Sequence, residues 1–243
     1  MISLKEIKLK SKRNNDKDNK KLFFFGSLFA IYFSWIFINL NINANKVTVI
    51  FFLTGIASVA FFFNSDPVYV VIAFILWRLH IIFDICDGQV ARFTKKFSSN
   101  GAYWDYMIHS LLFPLVFAAI CFAMYKKFDD NFFLIIALFG SVVVSQILSV
   151  KNNYYRAMLF NNEKLEKNSK SKKVSPLKNR FLSLLVELLS IDGLLFIYLI
   201  FSLFDISKQI YFIMFILYII NFLLLVLVKF ILFSNKIDHI KRN

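Results

Sequence analysis

Apolar residues in this chain run in long blocks of about 20, the length a helix needs to cross a hydrocarbon core, and short polar breaks separate them. The blocks fall at roughly 22–41, 46–64, 68–91, 101–124, 131–150, 183–203 and 209–233. Uninterrupted apolar runs of this length predict membrane helices rather than half-buried strands. A basic Asn/Lys-rich tail, 1–21, precedes them and is expected to be mobile. A polar stretch, 151–182, separates the fourth spanning block from the fifth, and a polar C-terminal tail covers 234–243. The expected fold is an all-α membrane protein. Six transmembrane helices would occupy 42–233, and block 22–41 would be an amphipathic helix at the interface.

Composition supports the membrane assignment: 58% of the 243 residues are hydrophobic and 32 are Phe, against roughly 45–50% apolar for a soluble domain. The formal net charge of +14 changes the picture more. In a soluble protein it would suggest nucleic acid, but here Lys and Arg sit almost wholly in tails and loops. Six spans place the tail 1–21, the loop 92–100, the loop 151–182 and the C-terminus on one side. That side collects nearly all the positive charge, and the other keeps only Lys126, Lys127 and Lys208, each near an aspartate. Positive loops stay cytoplasmic and meet anionic lipid, so both termini are expected in the cytoplasm and no nucleic-acid partner is expected. If 22–41 also spanned, the basic tail would lie outside. Cys86 and Cys121 lie in apolar blocks and show no disulfide or metal-ligand spacing. No apolar signal-peptide core precedes residue 22.

Charged groups inside spans are costly and mark function. The second span carries Arg78, His80, Asp84 and Asp87; the third carries Asp105 and His109. Asp84 and Asp87 share a helix face at i, i+3, and Asp105 and His109 share one at i, i+4. The connecting loop of about ten residues is expected to set the two helices side by side and antiparallel, with both pairs at one depth. Oxygen donors grouped in this way suit Mg²⁺ or Mn²⁺ bridging a diphosphate. Gly88, Ala91 and Gly101 leave room for close approach, and Arg92 can grip phosphate.

The run Asp84-x2-Asp87-Gly88-x2-Ala91-Arg92-x8-Gly101-x3-Asp105-x3-His109 resembles the signature of the CDP-alcohol phosphotransferases. Every fixed position but the last matches at unbroken spacing. Ala44-Asn45-Lys46-Val47-Thr48 is similar, more loosely, to the family's Pro-Asn-x-x-Thr. The resemblance implies six spans after an interfacial helix, a CDP-alcohol donor, a hydroxyl acceptor (lipid, polyol phosphate or glycan) and a homodimer. It implies two divalent ions held by Asp84, Asp87 and Asp105. Thr48, Gly88, Ala91, Arg92 and Gly101 would hold the CDP group. The last motif position, a fourth aspartate in the family, is His109. A neutral imidazole can accept the acceptor's hydroxyl proton, so His109 is expected to be the base. A degenerate homologue that binds nucleotide without turnover is the alternative within this fold, and a transporter is the alternative class.

Other candidates carry plainer readings. Arg156 could bind an acidic acceptor group or be a positive-inside anchor. Arg78 would pair with a buried acceptor or face substrate phosphate. His80 would support the metal site or be a satisfied core histidine. Trp35, Trp77 and Trp104 would face lipid or the interface.

Overall fold

A computed structural model describes residues 2–11, 26–96, 98–160 and 184–240. Their principal helices are α1 (Leu4–Lys10), α2 (Gly26–Asn39), α3 (Ala44–Phe62), α4 (Pro67–Thr94), α5 (Ser99–Phe128), α6 (Phe132–Phe160), α7 (Ile191–Leu203) and α8 (Lys208–Ile240). There is no strand among the described residues. Five of the helices, α3, α4, α5, α6 and α8, are long and apolar enough to cross a membrane. The chain is an all-helical integral membrane protein.

Local sequence sets the helix ends. Asn43, Asp66, Ser98 and Ser190 accept backbone N–H groups of the first turns of α3, α4, α5 and α7, satisfying donors that a helix start leaves unpaired. Asn41, Lys95, Asp129 and Asp205 stand between consecutive helices at φ 54°, 55°, 49° and 47°. Three of the four are Asn or Asp, the non-glycine types that best tolerate this left-handed conformation.

Helix α4 packs against α1, α2, α3 and α7, and α3 packs along both α4 and α5. Backbone-close packing between α4 and α5 themselves is sparse, so these two helices are not directly side by side as the short loop suggested. Bulky rings explain the separation. Trp77 meets Phe113 at 6.0 Å between centroids, and His80 meets His109 at 5.9 Å. Trp77, expected at lipid, is fully buried and donates its Nε1–H to Asp192 Oδ1 at 2.8 Å. Trp104 is exposed as expected, whereas Trp35 donates to the Ile2 carbonyl. Cys86 and Cys121 are buried and unpaired with each other.

Four boundaries differ from the sequence expectation. The N-terminal tail contains α1, whose Ile7 is fully buried, so this part of the tail is docked on the bundle. Helix α6 continues through residues 151–160, shortening the polar loop; residues 161–183 lie outside the described residues, as do 12–25. Helix α8 runs on through most of the expected C-terminal tail. The block 183–203 is split: residues 184–188 are helical, the chain bends at Leu189 and Ser190, and α7 begins at Ile191. Side chains of α8 supply donors for the carbonyls freed at the bend, Tyr218 to Leu188 and Asn221 Nδ2 to Leu189 at 2.8 Å. Within a membrane such groups need an internal partner.

Helix α2 sets Ala30, Ser34, Phe37 and Ile38 towards the bundle and leaves Phe29, Tyr32 and Ile36 exposed, so its outer face is apolar too. Ser34 Oγ donates to Gln89 Oε1 at 2.7 Å, and the Cys86 thiol lies 3.2 Å from the Ala30 carbonyl, tying α2 to α4. At the end of the bundle away from the motif, Lys127 pairs with Asp205 at 2.7 Å and Lys208 with Asp130 at 2.8 Å. Two of the three lysines of that end thus meet aspartates across neighbouring loops, and Lys126 lies 4.9 Å from the centre of the Phe122 ring.

Candidate active site

Helical periodicity brings Asp84 of α4 to face Asp105 and His109 of α5. His109 Nε2 lies 3.2 Å from Asp105 Oδ1 and 3.6 Å from Asp84 Oδ1. Each of the three offers a ligand atom within 4.8 Å of the others, and all three are partly buried. Two carboxylates pressed together in a low-dielectric setting repel one another unless a positive charge joins them. Carboxylate oxygens are suitable donors for a divalent cation, so Asp84 and Asp105 fit the metal that the motif implies, with the His109 imidazole beside them.

Asp87 does not belong to this cluster. Its Oδ2 lies 3.0 Å from the Thr48 hydroxyl, which is also 3.1 Å from the Ala44 carbonyl and shares its single proton between them. Thr48 is buried at the start of α3. The loose N-terminal echo of the family pattern therefore reaches the aspartate motif physically: α3 supplies a donor that orients Asp87.

His80 stands behind His109. Its Nδ1 is 2.8 Å from the Phe51 carbonyl, which can only accept, so Nδ1 carries a proton. Its ring lies between Phe51 at 4.8 Å and Trp77 at 5.1 Å, with His109 at the third side. Gly55 of α3 makes room for this arrangement, since a Cβ there would meet His80 Nδ1 at 2.7 Å. His80 is thus a buried histidine bonded to backbone and also a wall of the His109 pocket. Pro114, one turn beyond His109, removes a backbone hydrogen bond inside α5.

Arg78 is 3.9 Å from Asp192 Oδ1, the same oxygen that accepts from Trp77. Asp192 is one of two acidic residues inside the apolar block 183–203 and was not singled out from sequence; only packing reveals that it meets Arg78. Arg92 folds back along α4. Its Nη1 lies 3.1 Å from where a Cβ on Gly88 would stand, and its Nε donates to the Ser11 carbonyl at 2.6 Å. Ala91 is half-buried beside it. Gly101 lies where its Cβ would be 3.7 Å from Asn45 Oδ1, at the edge of a groove of about 450 Å³ lined by Asn43, Asn45, Thr94, Lys96 and Ser98 among others. Arg156 is exposed near the end of α6 and is not brought into the cluster.

The bundle of long apolar helices thus carries a carboxylate–imidazole cluster between α4 and α5, and ionisable groups within membrane helices mark functional sites. Residues 41–228 match the family model described as CDP-alcohol phosphatidyltransferase. The chain belongs to that family, which places it among the CDP-alcohol phosphotransferases. Two curated relatives are named "Bifunctional IPC transferase and DIPP synthase". The one from Archaeoglobus fulgidus is 35% identical over 105 residues, covering 43% of this chain and 20% of the relative. The one from Thermococcus kodakarensis is 32% identical over 105 residues, covering 43% of this chain and 23% of the relative. The chain thus spans about a fifth of the length of these relatives.

Proposed function

We propose that the protein transfers a substituted phosphate from a CDP-alcohol to a hydroxyl acceptor in lipid biosynthesis, releasing CMP. The observation that supports this best is the convergence of Asp84, Asp105 and His109 across two helices, inside a motif with the family's spacing.

Each residue has a part in this reading. Gly88, Ala91, Gly101 and Thr48 shape the CDP subsite, and Arg92 grips phosphate beside it. Asp84, Asp87 and Asp105 would hold divalent ions, Mg²⁺ or Mn²⁺, whose charge would neutralise the diphosphate and the departing phosphate oxygen. His109 Nε2 is the imidazole nitrogen on the carboxylate side, whereas Nδ1 is buried in the bundle and has no hydrogen-bond partner among the described residues. Nε2 therefore takes the proton from the acceptor hydroxyl, and the Asp105 carboxylate steadies the imidazolium. The hydroxyl oxygen bonds to the phosphorus that bears the alcohol, and the anhydride P–O bond to CMP breaks.

The relatives' printed names, a transferase and a synthase, agree with group transfer. The positive loops at the motif end support a site on the cytoplasmic side of the membrane. Purified protein given Mg²⁺ or Mn²⁺ and a panel of CDP-alcohols with hydroxyl acceptors should release CMP. Absence of CMP from every pair, or turnover indifferent to Asp84→Ala, defeats the proposal.

A further inference from the structure

We infer that the N-terminal helix α1 is a strap that positions the Arg92 guanidinium over Gly88, and so tunes affinity for the CDP donor. This rests on the reading of Arg92 as the phosphate-gripping group.

The strap is anchored at several points. Ile7 is fully buried. The Ile2 N–H donates to Asn39 Oδ1 at 2.9 Å, and Trp35 Nε1 donates to the Ile2 carbonyl at 2.9 Å. Lys10 Nζ sits 5.6 Å from the centre of the Phe93 ring. Both ends of this short segment are therefore held, one on α2 and one on α4. Just past the second anchor the chain presents Ser11, the C-cap residue, whose backbone N–H bonds back to the Ile7 carbonyl at 2.8 Å. Ser11 is 3% exposed. Its own carbonyl belongs to a helix end, where carbonyls lack intrahelical donors, and it accepts from Arg92 Nε at 2.6 Å.

That bond fixes the rest of the side chain. Side chains on a helix lean towards its N-terminus, so Arg92 projects back over the residue four before it. Gly88 has no Cβ, and the two terminal nitrogens occupy the space beside it, at 3.1 and 3.7 Å from where a Cβ would stand. Gly88 adjoins Asp87 and lies one turn from Asp84. With the Nε edge held by Ser11, the planar fork presents its outer nitrogens to the motif face. Without the strap, a long cationic side chain at a membrane surface would snorkel to lipid headgroups.

Ile7→Asp in the full-length protein tests the strap by placing an unpaired charge in its buried anchor. Two readouts are taken: labelling of Arg92 by phenylglyoxal, measured by mass spectrometry, and the kinetics of CMP release. Labelling of Arg92 should rise, and donor KM should rise about 10-fold with kcat held within about 2-fold. In an Arg92→Ala background, Ile7→Asp should add less than about 2-fold to KM, because coupled residues are not additive. Trp35→Phe, which removes one anchor bond without burying a charge, should shift both readouts in the same direction by a smaller amount. Unchanged Arg92 labelling in Ile7→Asp, or an equal KM cost with and without Arg92, overturns the strap. If the wild type releases no CMP, the transferase reading falls and the labelling alone still decides the strap.

Discussion

At position 109 an imidazole stands where the family pattern has a carboxylate, and its two nitrogens have different surroundings. Nε2 faces two carboxylates and Nδ1 faces the bundle interior. A base at Nε2 predicts that His109→Ala lowers kcat by about 10²–10⁴-fold, the usual worth of a positioned general base. His109→Asp should recover most of that loss, as measured by CMP release at saturating donor. A second prediction concerns Thr48, whose hydroxyl touches Asp87. Groups that orient metal ligands typically matter about 10–100-fold to metal affinity. Thr48→Val should raise the Mg²⁺ or Mn²⁺ concentration for half-maximal activity by that order, with little change in melting temperature. The Thr48–Asp87 bond was foreshadowed by the weaker of the two sequence motifs, but its partner lies 39 positions away and no spacing rule joins them.

The bend between residues 184–188 and α7 turns a block that reads as one span into two pieces, and it creates needs that other elements meet. Tyr218 and Asn221 of α8 serve its carbonyls, and Asp192, just past it, serves Trp77 and lies near Arg78 on α4. Asp192 is thus a staple between α7 and α4, and Trp77 in turn flanks His80. Asp192→Ala strands a half-buried Arg78 partner and the indole N–H. It should destabilise the protein by about 1–3 kcal/mol, the cost of unpairing buried polar groups, read by thermal melting in detergent. Asp192→Asn, which keeps an acceptor, should lose less. The opposite pattern, with Asn as damaging as Ala, would mean that the charge rather than the hydrogen bond holds α7. Hydropathy does not show this bend; its local signals are Ser190, an N-cap residue type, and Gly193, whose missing Cβ leaves room for the Leu188 carbonyl.

Across the whole molecule, the two ends of the bundle differ in charge chemistry. The motif end bears the loop with Lys95 and Lys96, and the other bears the pairs Lys127–Asp205 and Lys208–Asp130. A single cysteine at Lys96 should be modified by a membrane-impermeant thiol reagent only from the cytoplasmic face, in a background with Cys86 and Cys121 replaced by Ala. One at Asp129 should be modified only from the other face; labelling from a shared face would defeat the proposed orientation. The Lys208 ammonium bonded to Asp130, and the Lys127 ammonium bonded to Asp205, hold both carboxyls below the ordinary carboxylate range. A depressed carboxyl stabilises the fold above its unfolded pKa of about 3.9, and that contribution disappears as pH falls through the folded value. The Asp205 carboxyl is exposed and the Asp130 carboxyl partly so, and pairs at a surface are screened and small in effect. Asp130→Asn with Asp205→Asn should leave the melting temperature at pH 7 nearly unchanged and flatten its decline below about pH 4.

The sequence by itself determined the class of fold, because a 20-residue apolar run has no stable alternative in lipid to a helix with its backbone bonds closed internally. It also determined which residues share a helix face, since Asp84 with Asp87 and Asp105 with His109 follow from the 3.6-residue repeat. Tertiary structure alone decided how those faces meet. The rings of Trp77, His80, His109 and Phe113 keep α4 and α5 apart, α3 fills the angle between them, and Asp84 joins Asp105 and His109 while Asp87 turns to Thr48. Packing of side chains from distant parts of the chain sets those distances, and periodicity carries no record of it. The docking of α1 is of the same kind: a lysine-rich tail reads as solvated, and only the burial of Ile7 and the bond from Arg92 to Ser11 make it part of the bundle.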